Sequence, residues 1–153
     1  MFCRIFDRSY SYSLSLALVF AVFLLMITIA AAQQSPILTV TPDPTEVVPG
    51  APVTFTMSYD FPADYEVALP VEIVVTWNNA TFVEATGAPE LDTGGTQATW
   101  TYEAGLPDPA ALPIITLTAG AAPGPIDVTA TISSAAQASE TLRSIEGTAT
   151  VDI

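Results

Sequence analysis

Residues 126–134 read Ile-Asp-Val-Thr-Ala-Thr-Ile-Ser-Ser, with apolar side chains at 126, 128, 130 and 132 and polar ones at 127, 129, 131 and 133. Successive side chains of an extended chain point to opposite faces, so a period of two marks a strand with one face in a core and the other in water. The same alternation recurs in Val53, Phe55, Met57 and Tyr59 against Thr54, Thr56 and Ser58. It returns in Val71, Ile73, Val75 and Trp77, in Ala98, Trp100 and Tyr102, and in Ile145, Gly147, Ala149, Val151 and Ile153. With Ile37–Thr41, Thr81–Ala85 and Ile114–Thr118 added, the pattern predicts about seven to eight strands. Threonine fills many of the outward positions, as suits a β-branched side chain on a pleated surface.

The segments between these runs are rich in turn formers: TPDPTEVVPGAP, DFPADYEVALP, ATGAPELDTGG, EAGLPDPAALP and AGAAPGP. Proline cannot donate to a ladder, so it punctuates strands rather than running through them. Asn78 and Asn79 fit the left-handed positions of a tight hairpin. Only residues 134–143 (SAAQASETLR) read as a short helix, with Ser133 or Ser134 as its cap. Short strands without helical crossovers predict an all-β, antiparallel, immunoglobulin-like sandwich.

Upstream of the strands the composition changes. All 13 prolines and all 8 glycines follow residue 32. Residues 1–13 carry Arg4 and Arg8 beside Asp7, residues 14–29 are almost wholly apolar, and Ala30, Ala31 and Ala32 precede Gln33. That order is a secretory signal with a small-residue cleavage site. The stretch from Leu14 to Ala32 is also long enough to cross a bilayer of about 30 Å, so a retained anchor is the alternative, with residues 14–32 then the only contact with a membrane. The expected organisation is a leader over 1–32 and one domain over 33–153, secreted or at the cell surface.

The charge excludes whole classes of chemistry. The formal net charge is −13, with no histidine, three basic residues and one cysteine, Cys3. Without the leader the only cation is Arg143. Nucleic acid is therefore not an expected partner, because phosphate binding draws on clustered Lys and Arg. A serine nucleophile would have no histidine or lysine base, and zinc would have no histidine or cysteine ligand. An exported domain without disulfides must be held by its hydrophobic core, which is feasible at about 120 residues.

Three stretches carry a family resemblance: TVTPDPTEVVPGAPVTFT (39–56), ATFVEATGAPELDTGGTQATWTY (80–102) and IDVTATISS (126–134). Together they resemble the conserved repeat domain of bacterial and archaeal surface proteins known as domain of unknown function eleven. The resemblance implies an immunoglobulin-like sandwich and a prokaryotic surface role. Two features depart from it: Trp77-Asn78-Asn79 stands where the family has an Asp and a Leu-Pro pair, and a further strand, 145–153, follows its usual end. A cohesin-like or generic immunoglobulin-like sandwich is the alternative. The lysine-to-asparagine crosslinks of some related surface domains are impossible in a chain without lysine.

Several groups of residues could carry chemistry. Asp92-Thr93-Gly94 matches the aspartic-protease triplet, in which two aspartates share a proton. Its flanks, Glu90-Leu91 before and Gly95 after, fit a glycine-rich loop better. Fifteen carboxylates also leave open a glycosidase-type pair, although no spacing singles one out. An alternating strand path gathers Asp60, Asp64 and Glu66 near Glu90 and Asp92, an oxygen-rich set suited to calcium. Asn79-Ala80-Thr81 fits the glycosylation acceptor pattern. Trp77, Trp100, Tyr59 and Tyr102 could stack on sugar rings, but they occupy inward positions and are expected in the core, leaving Tyr65 as the aromatic placed for a ligand.

The combined expectation is a non-enzymatic structural or adhesive module with no obligatory cofactor, pairing with other surface proteins or with itself by strand addition. A carbohydrate- or calcium-dependent binding module is the alternative, and a carboxylate-only hydrolase a distant one. Strand addition is expected to use the first strand, Ile37–Val40, if it leaves its own sheet. Exported protein is predicted to begin at Gln33. Intact-mass measurement checks this, and recovery only in membranes with residues 1–32 attached would replace the secreted form by a tethered one.

Overall fold

The computed structural model describes residues 35–62, 69–134 and 144–153. The leader and the expected helix over 134–143 lie outside the described residues, apart from Ser134. The described chain forms nine strands: β1 Ile37–Asp43, β2 Pro52–Asp60, β3 Val71–Trp77, β4 Ala80–Ala85, β5 Glu90–Leu91, β6 Gln97–Tyr102, β7 Ile114–Ala119, β8 Ile126–Ser134 and β9 Ile145–Val151. A single 3-10 turn, Pro109–Ala111, is the only helical element among the described residues.

The strands form two antiparallel sheets, and each pairing follows from the alternation. Sheet I has the order β1-β2-β7-β4 and sheet II the order β5-β6-β3-β8-β9. In sheet II the register sets Ile73 beside Trp100 and Ile132, and Val75 beside Ala98 and Ala130. In sheet I it sets Phe55 beside Ile115, and Val53 beside Leu117. These inward residues are buried, and together with Leu38, Val40, Val71, Val128 and Val151 they make one continuous core. A slip of one residue in any strand would turn that strand's apolar set to water, so the core fixes the register.

Threonine dominates the opposite faces in matching rows. Thr41 lies beside Thr56, and Thr54 beside Thr116 with their hydroxyls 3.4 Å apart. On sheet II, Gln97, Thr76, Thr129 and Thr148 form one row across four strands. No buried polar or charged residue occurs among the described residues.

One side of the sandwich is closed by backbone. Leu38 of β1 lies over Gly147 of β9 so closely that a Cβ on Gly147 would stand 2.5 Å from the Leu38 carbonyl oxygen. Only glycine permits that approach. Just beyond β1 the chain pairs with the end of β9: the Val47 N–H donates to the Asp152 carbonyl at 2.9 Å, and the Asp152 N–H donates to the Thr45 carbonyl at 3.4 Å. β1 thus pairs with β2 along its whole length and packs on β9. In this conformation the first strand lies in its own sheet and has not left it as strand addition would require.

The two tryptophans are buried as expected, but they differ in how their polar atoms are met. The Trp100 indole N–H donates to the Thr86 carbonyl at 2.9 Å, tying β6 to the residue after β4. Gly87, at φ 78°, lies against the same ring, where a Cβ would be 3.2 Å from the indole nitrogen. Trp77 stacks on Phe82 with ring centroids 6.0 Å apart, and its buried N–H finds no partner. Trp100→Ala is expected to cost about 3–5 kcal/mol in denaturant melts, as large core truncations do. Trp100→Phe should cost about 1–3 kcal/mol more than Trp77→Phe, because it leaves the Thr86 carbonyl unpaired while Trp77→Phe removes an orphaned donor. Equal costs would mean that the Thr86 bond contributes nothing.

Candidate functional site

Of the acidic residues singled out by sequence, Asp60 and Asp92 fall at different ends of the sandwich. Asp60 closes β2 and pairs in register with Ile37, at the end where β3 begins at Val71 and β6 ends at Tyr102. Asp92 lies in the turn between β5 and β6, at the other end, where the Trp77 N–H donates to the Thr96 carbonyl at 3.0 Å. The cause is β5, a strand of two residues that the alternation does not reveal. It carries the chain back down the sandwich, so the connection after β4 delivers Asp92 to the far end.

The expected meeting of Asp60 with Asp92 is therefore corrected by the topology, and Glu90 stands on the edge strand beside Thr99. Asp64, Glu66 and Tyr65 lie outside the described residues. Among the described residues no three acids stand close enough to hold a metal ion.

Asp92 has a local task instead. Its Oδ1 accepts from the backbone N–H groups of Thr96 and Gln97, both at 2.7 Å, and its Oδ2 accepts from Gly94 at 3.0 Å. Gly95, at φ 65°, supplies the left-handed residue that the turn needs. Desolvation pushes the Asp92 carboxyl up, but the hydrogen bonds from the N–H groups of Gln97, Thr96 and Gly94 and from its own N–H together outweigh it and hold the carboxyl below its ordinary value. Asp92-Thr93-Gly94 is thus a side-chain-capped turn, as its glycine-rich flanks suggest.

Asn78 and Asn79 are likewise committed. Sequence placed a hairpin here, but β3 and β4 belong to different sheets, so the two residues form an arch across the sandwich. Asn79 has φ 48°, and its amide nitrogen donates to the carbonyls of Ala122 at 3.2 Å and Gly124 at 2.7 Å. The nitrogen that a glycan would need is thus already engaged with the loop before β8. Asn78 exchanges two bonds with Asp127: its amide donates to the carboxylate at 3.0 Å, and its carbonyl accepts from the Asp127 N–H at 2.8 Å. The Thr150 hydroxyl donates to the other Asp127 oxygen at 2.9 Å. Sequence reasoning missed this β3–β8–β9 link, since none of its three members is special in its own segment.

At the opposite end, Tyr59 packs on Phe61 with centroids 4.4 Å apart and the rings tilted, and its hydroxyl donates to the Pro107 carbonyl at 2.9 Å. Burial pushes the Tyr59 phenol above its ordinary value, and Asp108 adds to the rise. Asp108 itself accepts from the Ala110 N–H at 2.9 Å and caps the 3-10 turn. Burial also raises the Tyr102 phenol. Of the four aromatics proposed as a stacking platform, both tryptophans are buried and both tyrosines half-buried, which places them in or against the core.

No protein-family model and no curated protein matches the chain. Among solved structures it is similar to the Reelin-N domain of F-spondin, with 14% identity, coverage of 78% of this chain and 86% of that one, and a TM-score of 0.48. It is also similar to a chain of a type I cohesin–dockerin complex from Clostridium thermocellum, with 9% identity, coverage of 80% and 97%, and a TM-score of 0.47. A third is the collagen-binding domain of a Staphylococcus aureus adhesin, with 9% identity, coverage of 79% and 100%, and a TM-score of 0.45.

The Asp92 turn gives a pH prediction with a definite sign. A carboxyl whose folded pKa lies below its unfolded value stabilises the fold above the unfolded pKa, about 3.9 for Asp. That contribution is lost as pH falls through the folded value. Asp92→Asn should therefore lower the melting temperature at neutral pH and make the acid limb of the stability curve shallower below about pH 4. Unchanged melting at both neutral and acid pH would show that the three N–H bonds do not support the turn.

Proposed function

We propose that this chain is an exported, non-enzymatic β-sandwich module of the cell surface or extracellular matrix, acting as a structural or adhesive element. One observation carries the reading: Asp92, Asn79 and the two tryptophans, singled out by sequence for chemistry, are engaged in the scaffold. The carboxylates of Asp92, Asp108 and Asp127 accept hydrogen bonds from donors of the chain itself, and the two tryptophans are in the core. What the sandwich offers a partner is its hydroxyl-rich faces, its strand edges and its end loops. Leaving out β5 and β6, sheet order β1-β2-β7-β4 facing β3-β8-β9 is the A-B-E-D facing C-F-G order of a constant-type immunoglobulin sandwich, which supports the expected immunoglobulin-like fold. The β5–β6 pair is then an insertion that widens sheet II.

Cells lacking the chain are expected to lose cohesion or surface attachment, measured as sedimentation or retention on a matrix. Protein carrying Asp92→Asn should restore it, because the reading assigns Asp92 no chemistry. Loss of function with that variant, while the domain remains folded, would favour the carboxylate-only hydrolase. Protein found only inside cells would remove the surface role.

A further inference from the structure

β1 and β9 run in the same direction along one side of the sandwich. Leu38, near the start of β1, lies over Gly147, near the start of β9, and Glu46, just past β1, pairs parallel with Asp152, just past β9. The domain is therefore entered at the end where Ile37 pairs with Asp60 and left at the opposite one, where Val151 pairs with Ile126. Tension between those two points pulls β1 backward and β9 forward, each along its own axis. Bonds between antiparallel strands lie perpendicular to the strands, so such a pull slides one strand past the next and strains a whole ladder together. A pull across a sheet instead stretches the bonds along their length and opens them in turn.

We infer, resting on the structural or adhesive role proposed above, that this domain is a tension-bearing link: its terminal strands, and the bonds between the segments that follow them, carry load in shear from one end of the sandwich to the other. β1 is held to β2 over all seven of its residues, and β9 to β8 over all seven of its own. Beyond the two strands, the Val47 N–H donates to the Asp152 carbonyl at 2.9 Å and the Asp152 N–H to the Thr45 carbonyl at 3.4 Å, with Val47 and Ile153 packed against the core. These two bonds tie the continuation of the first strand directly to that of the last, so they lie on the shortest path for tension between the ends. The Leu38–Gly147 contact adds close backbone packing between the same two strands. The chain has no lysine and its one cysteine is Cys3, so neither a lysine crosslink nor a disulfide can share the load within the sandwich. Resistance has to come from the direction in which the hydrogen bonds are strained.

Single-molecule force spectroscopy on the exported protein tests this. Pulled from its two termini, it should rupture at a severalfold higher force than when pulled at the same speed through handles on Glu90→Cys and Glu146→Cys in a Cys3→Ser chain. Those two exposed residues lie in one row across sheet II, through Thr99, Val74 and Thr131, so that pull runs crosswise. Forced unfolding follows the unfolding rate rather than the equilibrium stability, so the contrast between directions is not a matter of melting temperature. Val47→Pro removes the N–H that donates to Asp152, and should lower the terminal rupture force while leaving the crosswise force as it was. If that variant does not fold, Asp152→Pro removes the bond to Thr45 and takes its place. Cells carrying the folded proline variant should hold to a matrix at rest as before and detach under flow. Attachment at rest that does not need the chain would remove the surface role and leave the force ratio to decide the rest. Equal forces in the two directions, or a terminal force that the proline variant does not lower, would overturn the inference.

Discussion

Burial of one face of every long strand against the facing sheet is the interaction on which the rest of this structure depends. Nothing else of comparable strength is present. The described residues contain no Lys, Arg or His, so none of their carboxylates can form an ion pair among them, and the single cysteine lies at position 3. The core must therefore hold the fold, and every connection has to be compatible with it. Gly147 and Gly87 illustrate the constraint: each is a position where a larger residue would push against Leu38 or Trp100 and lift one element off another.

The lack of cations also decides what the acids do. A carboxylate without a basic partner is satisfied by water or by N–H and O–H donors, and backbone N–H groups in a turn are the nearest supply. Asp92 takes three and Asp108 takes one at the start of the 3-10 turn, while the Asp127 carboxylate accepts from the Asn78 amide and the Thr150 hydroxyl. The acids here thus shape connections. That is why their number in the sequence overstates the metal-binding capacity of the loops.

Much of the architecture was legible because period two is a direct consequence of strand geometry. The eight long runs became eight strands, and the inward residues that alternation selects are buried, as Val53, Trp100 and Ile132 are, or packed half-buried against the core, as Tyr59, Tyr102, Ala149 and Ile153 are. What failed was topology. Glu90–Leu91 is too short to show a period, and missing it inverted the end at which Asp92 lies. Of Asn78 and Asn79, both read as left-handed, only Asn79 is, and a left-handed residue serves an arch between sheets as well as a hairpin within one, so only the pairing partner distinguishes them. The turn role of Asp92 did leave a signal: an aspartate followed by Gly94 and Gly95 is the composition of a side-chain-capped turn. The Asn78–Asp127–Thr150 link left none, because its members are 49 and 23 residues apart.

The edges complete the same physical account. A sandwich always ends in unpaired strands, and proteins commonly guard them with lysine, whose long stem keeps a charge in water beside the open main chain. This chain has no lysine, so the two sides are managed differently. On one, a glycine lets β1 lie directly on β9 and the chain then pairs with the end of that strand, which hides the edge by packing. On the other, β5 is cut to two residues and β4 is bulged, so protection relies on shortness and on the charges of Glu84, Glu90 and Asp92. Protection by like charge acts through space and fades with ionic strength, whereas protection by packing does not. The chemistry that denies this domain cations thus leaves one side insensitive to its surroundings and the other responsive to them.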